Sequence, residues 1–292
     1  MLLLAALVWG VAFVAQSEGL NYVGAFTFNT CRFILGGAVL IPCIYFLHGR
    51  KDSAWQTLSE KEKKEQTRMG IIGGICCGCI LCLASCLQQF GIAQTTVGKA
   101  GFITTLYIII VPFMGLFLKR KIGINIWISA VIAAVGMYFL CITESFSIGA
   151  GDRLVLMCSV VFSVHILVID HFSPKADGVV ISCVQFFTAG VIASVLMLLF
   201  EHPSVSAVIA AAAPILYAGV MSCGVGYTLQ VVAQNGVDPT VASLLLSLES
   251  VFSLIAGWML LGQRLSVKEQ FGCLLVFCAI ILAQIPAPKK QK

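Results

Sequence analysis

Glu249, His165 and Arg32 each interrupt a long apolar run, in a chain of 292 residues that is 59% apolar and only 11% charged. A charge at membrane depth costs about 2.5–3.5 kcal/mol on insertion scales, so each of these residues needs a physical reason. Glu249 lies about 15 Å along its run, near the middle, and Ser243, Ser247 and Ser250 form an i, i+4, i+7 stripe beside it. With Ser253 between that stripe and the acid, the helix is expected to turn a polar sector toward something wet or polar. The carboxyl is either a site for a substrate amine or a proton, or a buried group hydrogen-bonded to neighbouring helices. His165 lies about 5 Å to the cytoplasmic side of the centre of its run. It is the side chain that titrates nearest neutrality, which suits a proton relay, and an interhelical hydrogen bond is the alternative. Arg32 stands about a third of the way into its run. It can hold a carboxylate by a bidentate pair, but an arginine so near a helix end is expected to snorkel to the interface.

Uncharged candidates sit at comparable depth. Tyr107 and Trp9 are aromatic candidates for a cavity wall, where a ring face attracts a cationic solute; packing against lipid or core is the alternative. Gln88 and Gln230 occupy matched positions and either line a cavity or lock helices together. Pro112 is expected to kink its helix and provide a hinge. Lys99, Asp170 and His171 read as rim residues.

These residues must be positioned by membrane-spanning helices. A soluble fold could not cover itself with so little charge, and the mean hydropathy of +1.00 means the apolar residues are not diluted. Spans of about 20 apolar residues are read at 2–17, 23–47, 69–91, 97–118, 122–141, 153–171, 178–200, 207–233, 239–261 and 266–285. The only substantial stretch between them, 48–68, alternates basic and acidic residues and reads as a short solvated or amphipathic loop. The first span has no basic residues ahead of it, and Phe13 and Ala15 make a poor cleavage site, so it is expected to be retained.

The bases are distributed unevenly. With a cytoplasmic amino terminus, 13 of the 18 Lys and Arg residues fall in inside loops or the tail, which places both termini in the cytoplasm. The net charge of +5 is accounted for by that asymmetry, and no nucleic-acid partner is expected. Thirteen cysteines include five in the span 69–91, beside Gly70, Gly74 and Gly78 at four-residue spacing. Small residues at that spacing let helices approach closely; thiolate metal binding by Cys79 and Cys82 is the sharper alternative, but a structural zinc site would want four ligands.

The chain also repeats. Leu87-Gln88 recurs as Leu229-Gln230 at an offset of 142, and the segment from Leu118 aligns with that from Leu261 at 143. Cys31-Arg32-Phe33 lines up with Val184-Gln185-Phe186 at 153. At the 143 offset, Tyr107 matches Ser250, at the depth of Glu249, and Pro112 matches Ile255. Five spans per repeat is an odd number, so the second repeat must enter the membrane from the opposite side. The expectation is an all-α integral membrane protein of ten transmembrane helices, built as two inverted five-helix repeats at 1–145 and 146–292.

The segments ALVWGVAFVA (6–15), FNTCRFILGG (28–37), GKAGFITTLYIIIVPFMGLFLKRKI (98–122) and DPTVASLLLSLESVFSLIAGWMLLGQRLSVKEQFGCLLV (238–276) resemble the drug/metabolite transporter superfamily, EamA-like branch. The resemblance covers essentially the whole chain. Ser250 and Gln263 stand where that family usually has Pro and Glu. It implies proton-linked or facilitated movement of small metabolites, often amino acids or drugs.

An intramembrane enzyme would need a motif such as HExxH, GxSG or a glycine-rich phosphate cradle, and a channel a carbonyl filter or a ring of like charges; the sequence has none of these. The function expected is that of a secondary transporter moving a small organic solute, outward and proton-coupled on one reading, by alternating access in an inner or plasma membrane. A non-coupled facilitator or channel is the alternative. Site candidates are Glu249, His165, Arg32, Tyr107, Trp9, Gln88, Gln230, Ser247 and Ser250, with Pro112 as hinge. The partners expected are the lipid bilayer and a small-molecule substrate, with protons and a homodimer left open; no cofactor and no metal are expected.

Overall fold

The computed structural model describes residues 1–49, 55–117, 123–141 and 148–285. The bases Arg50, Lys51, Lys119, Arg120, Lys121, Lys289, Lys290 and Lys292, and the expected repeat boundary at 145/146, lie outside them. Among the described residues the chain is helical throughout, with α1 (Leu2–Gly19), α2 (Ala25–Gly49), α3 (Glu60–Ile92), α4 (Val97–Thr104), α5 (Tyr107–Phe117), α6 (Ile124–Cys141) and α7 (Ala150–Phe172). Then come α8 (Gly178–Phe200), α9 (Val205–Ala210), α10 (Ala212–Leu216), a π-helix over Tyr217–Tyr227, α11 (Thr228–Gln234), α12 (Pro239–Leu246), α13 (Glu249–Leu261) and α14 (Val267–Gln284).

Among the described residues, seven stretches are long and apolar enough to cross a membrane: α1, α2, α3, Val97–Leu116, Ala150–Lys175, α8 and Ala212–Gln234. The expected spans at 122–141, 239–261 and 266–285 fall on α6, the broken pair α12–α13 and α14, whose apolar stretches Trp127–Gly136 and Glu249–Leu261 are shorter. Large apolar side chains such as Leu3, Phe46, Leu198, Phe200 and Met259 point outward. In water that surface would aggregate; against lipid tails it loses nothing.

The stretch 48–68 is not simply a loop. Ser59 caps α3 in a capping box, its hydroxyl accepting the Glu62 N–H while the Glu62 carboxylate accepts the Ser59 N–H. The helix therefore starts nine residues before the expected span, at Glu60, because Ser-x-x-Glu satisfies the orphan donors of its first turn.

Close crossings are made by small residues. Gly70, Gly74 and Gly78 lie against Val180, Val184 and Thr188 of α8, so the four-residue ridge is a helix contact. At the α3–α7 crossing, a Cβ on Gly91 would come within 3.0 Å of the Gly151 carbonyl, and one on Gly151 within 2.8 Å of the Gly91 carbonyl. The backbones approach there as only glycine allows. The main core gathers Phe13, Phe33, Leu81, Ile103, Tyr107, Ile108 and Phe186 around the middle of the bundle.

Candidate functional site

Two helices are interrupted at the same relative place. The first break, at Thr105 and Leu106, separates α4 from α5; the second, at Ser247 and Leu248, separates α12 from α13. Each is a tightened turn in which N–H groups bond three residues back: Ile108 to Thr105 (3.0 Å) and Ile109 to Leu106 (2.9 Å), Ser250 to Ser247 and Val251 to Leu248 (both 3.1 Å). Hydroxyls reinforce the turns, with Thr105 Oγ1 donating to the Phe102 carbonyl (2.9 Å) and Ser250 Oγ to that of Ser247 (2.8 Å). Such back-bonding competes with the helical ladder and bends it. Pro112, the expected kink and hinge, lies within α5, and the break comes before it. The second broken helix has no proline near its break, so local hydroxyl bonding is the feature the two breaks share.

The residues that open the second halves are Tyr107 and Glu249. They are related by 142 positions, so Tyr107 pairs in register with Glu249 and not with Ser250, as the 143 offset had suggested. Tyr107 Oη donates to Glu249 Oε1 at 3.0 Å, and both side chains are buried.

Both residues line one cavity. Its wall takes Trp9, Ala12, Phe13 and Gln16 from α1, Arg32 from α2, Gln88 from α3, and Phe162 and Ile166 from α7. The remainder comes from Thr104 and Leu246 beside the breaks, Ser222 and Tyr227 of the π-helix, and Gln230 of α11. Trp9 Nε1 donates to the Ser222 carbonyl (3.3 Å), and its ring lies 4.6 Å from that of Tyr227. Gln88 Nε2 donates to Thr104 Oγ1 (3.4 Å). Apolar and aromatic walls with a few convergent polar groups are the usual composition of a small-molecule site.

Arg32 does not snorkel. It is 2% exposed, its Nη1 donates to Gln16 Oε1 at 3.0 Å, and the rings of Phe33 and Phe28 lie 4.8 and 5.8 Å from the guanidinium carbon. The aromatic packing and the Gln16 amide hold the side chain inside the bundle, while the amino end of α2 is satisfied by another group. Glu201 accepts from the Phe26 N–H (2.9 Å) and the Thr27 N–H (2.8 Å).

Other candidates lie off the cavity wall. His165 is buried between α7 and α8, its Nε2 3.1 Å from Gln185 Oε1, and only its ring edge approaches Tyr227. Ser250 and Ser253 lie at a helix crossing. Ser250 and Ser253 bond their own backbone, and a Cβ on Gly101 of α4 would collide with Ser253 Oγ. Serine serves there as a small residue in a tight helix crossing. Ser247 is buried at the break itself. Gln16, Thr104, Phe162, Ser222 and Tyr227 were not singled out from the sequence. A glutamine inside an apolar run was the one available signal, and it marked Gln16.

An all-helical bundle with an outward apolar surface, discontinuous helices and a buried polar cavity defines a multi-pass membrane protein of transporter type. The sequence signature of the EamA-like transporter family matches residues 1–142 and again 149–284, and the chain belongs to that family. It is 28% identical over 285 residues to an uncharacterized transporter of Archaeoglobus fulgidus, covering 97% of this chain and 84% of that one. Its similarity to the uncharacterized transporter YoaV of Bacillus subtilis is 22% identity over 281 residues, covering 94% and 92%. A protein crystal structure shares the fold, with a TM-score of 0.65 at 18% identity and 96% of each chain covered.

Proposed function

We propose that this membrane transporter is a ten-span carrier of two inverted five-helix repeats, 1–145 and 146–292, that moves a small organic solute by alternating access. The observation that carries the reading is the cavity at the two facing helix breaks, one in each half, closed by the Tyr107–Glu249 hydrogen bond. Discontinuous helices near the midplane are how transporters place polar backbone and side chains where a solute can reach them.

Two further observations support the repeat, and five spans in each half make it an inverted one. The helix contacts map onto one another when the halves are exchanged: α3 on α7 corresponds to the π-helix on α1, and α3 on α8 to the π-helix on α2. α2 packs on α8 and α6 on α14 as self-matching pairs. The family signature also matches twice, once in each half. With 13 of 18 bases on one side, both termini are cytoplasmic. Glu249 is the group that would take up a proton or a substrate amine; proton coupling and outward movement belong to this reading as its expected cycle.

Counterflow in vesicles containing the purified protein tests the reading, with the solute first found by thermal-shift screening against amino acids, amines, acids and drugs. A carrier preloaded with unlabelled solute transiently accumulates labelled solute above equilibrium. Simple equilibration would instead identify a channel or facilitator.

A further inference from the structure

Arg32 carries a positive charge into the bundle without a counter-charge. Among the described residues no carboxylate forms an ion pair with it. The two acids that might do so are committed elsewhere, Glu201 to the amino end of α2 and Glu249 to Tyr107. The one hydrogen bond to the guanidinium comes from a neutral amide, through Nη1 to Gln16. Nε and Nη2 are buried and have no partner.

Those two nitrogens form one edge of the guanidinium plane, the side-on fork that matches both oxygens of a carboxylate. An uncompensated buried charge is costly, and a bound anion removes that cost. The same cavity offers the aromatic rings of Trp9, Phe13, Phe162 and Tyr227 to an apolar body, and its one acid, Glu249, is bonded to Tyr107.

We infer that Arg32 is the anion subsite of this cavity, and that the solute is an organic monocarboxylate with an apolar body, its carboxylate on Nε and Nη2. The inference rests on the cavity being the solute site. Gln16 acts as a positioning residue: it occupies Nη1, and the Nε–Nη2 edge is the one without a partner. The carboxylate thus brings the missing counter-charge, and a neutral analogue of the same shape leaves Arg32 as it was.

Binding to the purified full chain in detergent tests this without any transport step, using phenylpropionate, phenylpropanamide and phenylpropylamine as probes. The expected result is that the acid binds at least about tenfold more tightly than the amide or the amine, as a charge-assisted bidentate pair requires. In Arg32→Gln the acid and the amide become equivalent. Arg32→Lys keeps the charge but not the fork, and retains part of the preference. Equal binding of acid and amide to the wild-type protein overturns the inference, as does preference for the amine or an undiminished preference for the acid in Arg32→Gln. Competition by chloride at concentrations equal to the acid also overturns it, since the subsite would then hold an inorganic ion. Should Arg32→Gln fail to fold, the wild-type comparison and Arg32→Lys decide. Acid binding without counterflow would defeat the carrier reading and leave the subsite standing; counterflow of a solute without a carboxylate would do the reverse.

Discussion

The hydroxyl of Tyr107 donates to the carboxyl of Glu249 at 3.0 Å, and each residue is the first of the second half of a broken helix. The bond thus ties together the two interruptions, one from each half of the chain, at the cavity. Any rearrangement that opens the bundle between α5 and α13 must stretch or break it.

Glu249→Gln is expected to leave the protein folded and to abolish or uncouple transport. The amide keeps the shape and can still accept from Tyr107, but it neither carries charge nor exchanges a proton. Counterflow and its pH dependence, measured beside a size-exclusion profile, check this; wild-type uptake with unchanged pH dependence would remove Glu249 from the pathway. Tyr107→Phe strands a buried acceptor and should cost about 1–3 kcal/mol of stability. Because the two side chains share one bond, the double variant should fall short of the sum of the single effects.

Gly101 faces Ser253 across the α4–α13 crossing. Gly101→Ala drives a methyl group into the serine hydroxyl and should destabilise the protein by about 1–3 kcal/mol. Ser253→Gly in the same chain should restore much of the loss. Thermal unfolding in detergent reads both; an unaltered melting temperature for Gly101→Ala would mean the crossing can widen at no cost.

Ser59 donates its hydroxyl to the Glu62 carboxylate and its N–H to the same group, and these bonds hold Glu62 below its ordinary range. The folded form is favoured where Glu62 is ionised, so the cap persists at neutral pH and is lost as the pH falls through the depressed value. Ser59→Ala should loosen the first turns of α3 and speed tryptic cleavage at Lys61, Lys63 and Lys64. Cleavage at the wild-type rate would show that the cap does not hold these turns.

A reporter active only in the cytoplasm, fused to the carboxyl terminus, should be active. Silence would mean that the number of spans is odd, and with it the two-repeat arrangement would fall.

Hydropathy, a sum along the chain, was sufficient to read the membrane class and the seven long apolar stretches, since lipid selects for apolar side chains whatever their neighbours. An offset of 142 was likewise legible in Gln88 and Gln230, and the two helix breaks at 105–106 and 247–248 stand at that same separation. The capping box at Ser59 was present in the sequence too, though its helix was read as loop because the charges of 60–68 masked the local signal.

Facing was a different matter. Serine in a span reads the same whether it meets water or a glycine, and only the approach of α4 at Gly101 decided that Ser250 and Ser253 belong to a tight helix crossing. Arg32 near a helix end could have reached the interface; Gln16, Phe28 and Phe33, brought from α1 and from its own helix, keep it inside. The breaks at 105–106 and 247–248 have no proline, and they became visible only in the hydrogen bonds. What the sequence determines by itself are properties that each segment has alone, its solvent and its length. Which polar group meets which, and therefore where the cavity lies, is a relation between residues as much as 213 positions apart, as Trp9 and Ser222 are, and only the tertiary packing supplies it.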